Sequence, residues 1–292
     1  MILTGPTGVG KTELSLDLAQ ELKSPIINAD SRQIYRELPI GTAAPTAEEQ
    51  KLVQHYFVGS KSVADEYSAG DYEREAITLI YNLFRDKDIL LMCGGGMMYI
   101  DAVCNGLDAL PKVPKEIRQE VLRHYEADGI EWLRAKLEVL DSDYFKRVDL
   151  CNPQRMIHAI EVSLTAGLPY SELLTGKRKK REFDIIKVVL NRERSELYNR
   201  IDSRVIKMLE RGLEEEARSV MQYRHLNSLN TVGYKEMFSY FDGKIDKQEC
   251  VRLIQQNSRH YAKRQLTWFR RDNETRWLDI SKYNKDDILS LL

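Results

Sequence analysis

Cysteine is scarce in this chain, and its spacing organises nothing. Cys93, Cys104, Cys151 and Cys250 form no CxxC pair and stand at no zinc-ligand spacing. That argues against a zinc ribbon and a disulfide framework, and the expectation is reduced thiols in a cytoplasmic protein. No apolar run approaches the roughly 18 residues of a membrane helix, so no membrane association is expected. The first residues, MILTGPTG, carry no basic stretch ahead of an apolar one, which argues against a signal peptide. An excess of either charge is also missing. Forty-four Lys and Arg against 45 Asp and Glu leave a net charge of −1 and a pI near 6.6. A polyanionic partner would therefore have to be met by a local basic patch. There are no internal repeats, and the one biased segment is the basic run KRKKRE at 177–182. What remains is an ordinary globular composition over 292 residues, long enough for one large domain or a core carrying an inserted piece.

The first half alternates short apolar runs with amphipathic ones. Residues 1–4, 25–29 and 88–93 are expected as strands, the last (DILLMC) apolar enough to be buried on both faces of a parallel sheet. Residues 13–22 and 72–84 are expected as helices, with Leu14, Leu18 and Leu22 four apart in the first. This alternation predicts a doubly wound α/β core. Near Pro111 the pattern becomes helical only, over 115–127, 130–141 and 153–166, the last framed by Asn152, Pro153 and Gly167. Residues 183–190 (FDIIKVVL) read as a strand again, followed by long helices at 195–223 and 247–269. The expected organisation is a core over 1–112 and 183–292, interrupted by an all-helical insertion at 113–182.

Gly5-Pro6-Thr7-Gly8-Val9-Gly10-Lys11-Thr12 matches GxxxxGK[ST] completely, after a strand and at the opening of a helix. Its glycines let backbone N–H groups turn toward phosphate oxygens, and the helix start adds the positive end of its dipole. Lys11 supplies a mobile point charge, and the Thr12 hydroxyl can ligate a Mg²⁺ that bridges phosphates. A P-loop implies a polyphosphate but no particular reaction. A kinase or ATPase usually offers a metal-holding acid at another strand end. Here the strand at 88–93 runs into Cys93-Gly94-Gly95-Gly96, without one. The strand-end acid in this half is Asp30, followed directly by Ser31, Arg32 and Gln33. Open α/β sheets bind ligands at the carboxyl ends of their strands, so Asp30 and the P-loop are expected to share a crevice. There the carboxylate could take a proton from a nucleophile, hold Mg²⁺ through water, or merely cap a turn.

The segments GPTGVGKT, INADSRQIYRELPIGTAAPT (27–46), YSAGDYEREA (67–76), CGGGMMYIDAVCNGL (93–107), NPQRMIHAIEV (152–162), TVGYKEM (231–237) and YAKRQLTWFRR (261–271) occur in one order over nearly the whole chain. Together they resemble the tRNA dimethylallyltransferases. The resemblance implies transfer of a dimethylallyl group from dimethylallyl diphosphate to N6 of the adenosine just 3′ of the anticodon, in tRNAs reading codons that start with U. It also implies a P-loop NTPase-like core, a P-loop that binds the departing diphosphate, Asp30 as the base, Thr7 as a hydroxyl at the same chemistry, and Mg²⁺ at Thr12. For tRNA contact it implies Asp30, Ser31, Arg32, Gln33, Gly96, Arg118, Gln154, Arg155, Met156, Ile157, His158, Lys263 and Arg264, with the target base drawn out of its stack between core and insertion. A cytoplasmic monomer is the default for such a family.

Two positions depart from the family pattern. Gly96 stands where a threonine is usual, and His158 where an arginine is common, exchanging a fixed charge for one that titrates near neutrality. Residues 252–276 carry seven Lys and Arg against Asp272 and Glu274, with Tyr261, Trp268 and Phe269 interleaved. That composition suits a phosphate backbone with unstacked bases, although Trp268 reads as core. Two other readings remain at this level. One is a P-loop enzyme acting on free adenine nucleotides or phosphorylating a small molecule, for which the insertion and the basic segment would have no use. The other is a non-catalytic RNA-binding or nucleotide-sensing protein, for which a base beside a phosphate site would have none.

Overall fold

The computed structural model describes all 292 residues. The chain divides into two compact units, Met1–Asn105 with Arg181–Leu292, and Gly106–Lys180.

The first unit is built on six parallel strands: β1 (Ile2–Thr4), β2 (Ile26–Asn28), β3 (His55–Tyr56), β4 (Leu91–Gly94), β5 (Lys187–Asn191) and β6 (Arg276–Asp279), in the spatial order β3-β2-β4-β1-β5-β6. Alternate residues go to opposite faces, as the pleat requires. Leu3, Ile26, Leu91 and Val188 pack on one face with Leu18 of α1 (Lys11–Glu21), and Leu197 and Ile201 of α9 (Arg194–Glu210). Ile2, Ile27, Met92 and Val189 pack on the other with Tyr72, Ala76 and Ile80 of α3 (Ala69–Leu83), and Tyr99 and Ile100 of α4 (Met97–Asn105). Both faces are therefore apolar, as expected of an all-parallel sheet. The neighbours β1 and β4 send their following helices to opposite faces. The crevice at their carboxyl ends is the switch point where such sheets bind ligands.

Short edge elements escaped the sequence reading. The two-residue β3 and the polar β6 carry no apolar run, and α2 (Ala47–Leu52) buries no residue. α3 starts three residues before the expected position because Ser68 and Asp71 cap each other's backbone, with Asp71 N–H to Ser68 Oγ at 3.1 Å. The helix expected over 195–223 is broken at Gly212 (φ 97°), so α9 ends at Glu210 and α10 (Leu213–Ser219) follows. α11 (Tyr234–Phe241) and α12 (Lys247–Phe269) complete this unit's larger helices.

The second unit is all-helical. α5 (Lys115–Leu140) is bent at Gly129 (φ 71°), so it amounts to the two helices expected. Its Val121, Leu133 and Leu137 pack against α7 (Pro153–Ala166), which opens on the Asn152 cap and closes at Gly167 as the sequence indicates. Buried on that side of α7 are Met156 and Ile157, 0% and 5% exposed.

The basic run is not a uniformly solvated loop. Arg181, at its end, is drawn into the first unit. Its guanidinium donates to Ala102 O and Val103 O, both at 2.8 Å, and pairs with Glu73 at 2.9 Å. Only about a tenth of either side chain is exposed, 9% for Arg181 and 10% for Glu73. Removing one partner of a buried pair is strongly destabilising. Arg181→Ala is expected to lower the unfolding free energy by about 3 kcal/mol. Lys177→Ala, in the exposed part of the run, should cost under ~0.5 kcal/mol. Equilibrium denaturant unfolding of the two variants checks both values.

Candidate active site

Three strand ends meet in one cavity of about 930 Å³ in the first unit. β1 delivers the P-loop, β2 delivers Asp30, and β4 delivers the turn Gly94-Gly95-Gly96. The last two are fitted together through backbone. Ala29 N–H donates to Cys93 O and Gly96 N–H donates to Ala29 O, both at 2.8 Å. A Cβ at Gly94 would lie 2.4 Å from the Ala29 carbonyl, and one at Gly96 would lie 2.5 Å from Ala29 O. Neither position has room for a Cβ unless the Ala29 backbone shifts.

α1 opens from Gly10 with no side-chain cap, so the donors of its first turn are left for an anion. Lys11 Nζ donates to Gly5 O at 2.8 Å and Pro6 O at 3.0 Å. Burial lowers its pKa to about 8, with Cys93 opposing, Arg204 adding to the fall and Asp30 opposing. Gly5, Pro6 and Val9 do not line the cavity. Val9 is packed in the core, so of the expected diphosphate-binding residues these three act through loop shape. Thr7, Gly8, Gly10, Lys11 and Thr12 do line it.

Asp30 is half-buried and divides its carboxylate between two tasks. Oδ1 accepts the N–H groups of Arg32 (2.9 Å) and Gln33 (3.3 Å), closing the turn after β2. Oδ2 accepts from no protein group, which leaves it for a ligand. Ser31, Arg32 and Gln33 line the same cavity. Two of these side chains are already engaged: Arg32 Nη1 donates to Ser228 O at 3.3 Å, and Gln33 Nε2 to Thr42 O at 3.2 Å and Ala43 O at 3.0 Å.

The sequence reading missed the arginines behind the P-loop. Arg204 Nη1 donates to Thr7 Oγ1 at 2.6 Å and its Nη2 to Thr42 O at 3.1 Å. Burial lowers its pKa and the Asp30 charge opposes that. Arg200 donates to Gly8 O and Arg192 to Val9 O, each at 2.9 Å. The available signal was spacing. Arg200 and Arg204 are four apart beside the apolar stripe Leu197, Ile201, Val205 and Met208, so they flank a buried helix face.

Of the basic C-terminal residues, Arg264 lines the cavity, while Lys263 is exposed on α12 outside it. The stripe is less free than its composition suggests. Arg252 pairs with Glu249, Arg259 with Asp202, and Arg271 lies over the Trp268 ring. Trp268 itself is half-buried and donates to Asp101 at 3.0 Å.

In the helical unit, Gln154, Arg155 and His158 are exposed on α7. Met156 and Ile157 are not: against the expectation of side-chain contact, their side chains fill the core of that unit, on the apolar stripe they share with Ala159 and Ile160, which leaves only their backbone for tRNA. His158, open to solvent on one side, lies edge-on to Tyr170 on the other; desolvation by that packing, then the Arg118 charge, lower its pKa. Arg118 pairs with the buried Glu161 at 3.6 Å.

Residues 33–272 match the family model described as IPP transferase. A tRNA dimethylallyltransferase 2 of Porphyromonas gingivalis is 55% identical over 291 residues, 100% of this chain and 97% of its own. A tRNA dimethylallyltransferase 1 of Bacteroides thetaiotaomicron is 52% identical over 277 residues, 95% and 90% of the two chains. The crystal structure of a tRNA isopentenylpyrophosphate transferase from Bacillus halodurans superposes with a TM-score of 0.71 at 33% identity, covering 99% of this chain and 92% of that one. That of a eukaryotic dimethylallyltransferase acting on tRNA gives 0.76 at 26% identity, covering 91% and 68%.

The lowered pKa of Lys11 has a measurable consequence. The lysine is charged below about pH 8 and neutral above it, and an anion binds the charged form. Affinity for inorganic diphosphate should thus be full below pH 8 and fall by roughly tenfold per unit above it. Dividing by the affinity of Lys11→Arg, which keeps its charge, cancels the ligand's own titration. Calorimetric titrations from about pH 6 to pH 10 give the ratio; a flat ratio contradicts the assignment.

Proposed function

Since this chain belongs to the IPP transferase family, we propose that it transfers a dimethylallyl group from dimethylallyl diphosphate to N6 of the adenosine 3′ of the anticodon, in tRNAs reading codons that begin with U. The observation that carries this reading is the junction of a complete P-loop with a carboxylate whose Oδ2 is free, in one cavity. As the allylic C–O bond breaks, negative charge builds on the diphosphate. Lys11, Arg204 and the uncapped start of α1 stand where fixed positive charge stabilises it without reorganisation. As the C–N bond forms, N6 becomes cationic and must lose a proton. Asp30 Oδ2 accepts it, while Oδ1 stays committed to the turn and keeps the carboxylate aimed. Thr7, held by Arg204, presents its hydroxyl at the same place.

A phosphoryl-transfer reading has less support. β4 ends in Cys93 and Gly94, with no carboxylate to hold a metal opposite Thr12. The protein offers no group of three His, Cys, Asp or Glu side chains able to hold an ion by itself. Mg²⁺ suits such a site when its substrate brings phosphate oxygens, because it keeps water and needs few protein ligands. Thr12 would hold it, and the bound ion would neutralise charge on the diphosphate. The default for this family, a cytoplasmic monomer, is part of the same proposal. No helix is long and apolar enough to cross a membrane.

The test mixes protein, Mg²⁺, radiolabelled dimethylallyl diphosphate and unmodified tRNA, with AMP as a parallel acceptor. Label is expected in tRNA alone. Asp30→Asn should reduce transfer by about 10²–10⁴-fold with tRNA affinity nearly unchanged. Label in AMP alone, or full activity in Asp30→Asn, refutes the reading. Arg204→Ala, which strips one preorganised cation from the leaving group, is expected to lose about 10²–10³-fold in kcat. A wild-type kcat in that variant would remove Arg204 from the mechanism.

A further inference from the structure

α12 reaches the site through a residue that carries no charge. Gln265 is 1% exposed, between the buried Ala262 and Phe269. Its two amide atoms touch two different catalytic loops. Oε1 accepts the N–H of Thr7 in the P-loop at 2.9 Å, and Nε2 donates to Gly95 O at 2.9 Å. The orientation is fixed by chemistry, since a backbone N–H can only donate and a carbonyl can only accept. A Cβ at Gly95 would lie 2.4 Å from Nε2, so the turn is shaped around this amide.

The consequence runs to both halves of the chemistry. Thr7 is held at its N–H by Gln265 and at its hydroxyl by Arg204. Gly95 stands between Gly94 and Gly96, whose contacts with Ala29 set the residue preceding Asp30. A single side chain thereby joins the loop that receives the leaving group to the turn that carries the base. We propose that Gln265 is a positioning residue for prenyl transfer: at the wall of the cavity, it fixes the P-loop relative to Asp30 and acts through Thr7 and Gly95. This inference rests on the functional reading above.

A glutamate at 265 is nearly isosteric and provides the test. Ionised, it still accepts from Thr7 but turns an acceptor toward Gly95 O; protonated, it can do both jobs of the amide. Being buried, it should take up a proton well above the usual carboxylate range. Gln265→Glu is expected to lose on the order of 10²-fold in kcat/KM for dimethylallyl diphosphate at pH 8. Most of that loss should return as the pH falls toward about 6, always relative to wild type at the same pH. Inorganic diphosphate affinity should move with it, while tRNA affinity stays within about twofold of wild type, well under the tenfold of 1.4 kcal/mol. Gln265→Asn, too short to span both partners, and Gly95→Ala, which pushes on the amide from its other side, should lose activity at every pH. They carry the test if Gln265→Glu does not fold, as judged by thermal unfolding.

Folded variants with wild-type kcat/KM across the pH range would overturn the proposal. So would an equal loss of tRNA and diphosphate affinity, which marks a merely structural residue. A wild-type protein that labels no tRNA would instead refute the functional reading; the diphosphate titrations would still decide whether Gln265 positions the P-loop.

Discussion

The backbone of Ala29 lies against Gly94 and Gly96 with no room for a side chain between them, and the active site depends on that contact. It joins the end of β2 to the end of β4, and β4 is hydrogen-bonded to β1, which carries the P-loop. Asp30 is the next residue after the contact. Its distance from the phosphate loop is therefore set by sheet register and glycine packing rather than by flexible side chains. The departure at Gly96 belongs to this geometry: its Cβ position is occupied by Ala29 O, so in this chain the turn contributes backbone and no hydroxyl.

Electrostatics follow from the same arrangement. A P-loop that bound a nucleotide for phosphoryl transfer would need an acid to hold the metal near the phosphates. Here the corresponding strand end is thiol and glycine, and the nearby carboxylate is on β2 instead. Positive charge is concentrated behind the loop by Arg192, Arg200 and Arg204, each bonded to a P-loop residue. Under the proposed reaction, such an arrangement would stabilise a whole diphosphate as it departs and leave the acceptor amine to a separate base. Lys11, with its pKa lowered by burial, would add a charge that a bound anion itself helps to retain.

The P-loop and Asp30 were legible in the sequence because each lies in a contiguous stretch with its own mechanism, a complete phosphate motif and an acid at a strand end. The buried parallel strands were legible from their apolar runs, and α7 from its Asn152, Pro153 and Gly167 frame. β3 and β6 were not, because short polar edge strands carry no pattern. Gln265 and the arginines of α9 were hidden for a different reason. Their roles come from partners roughly 190 to 260 residues away in the chain, and local spacing can suggest a buried helix face without saying what it meets. Met156 and Ile157 show the limit of a family resemblance. Within the matching stretch the 3.6-residue period separates the exposed Gln154, Arg155 and His158 from the buried pair.

The most direct measurement of the central claim is mass-spectrometric mapping of tRNA after reaction with dimethylallyl diphosphate, paired with a count of diphosphate released. The account predicts one dimethylallyl group on N6 of the adenosine 3′ of the anticodon and one diphosphate released for each modified tRNA. An unmodified adenosine at that position, or diphosphate released without matching modification, would contradict it.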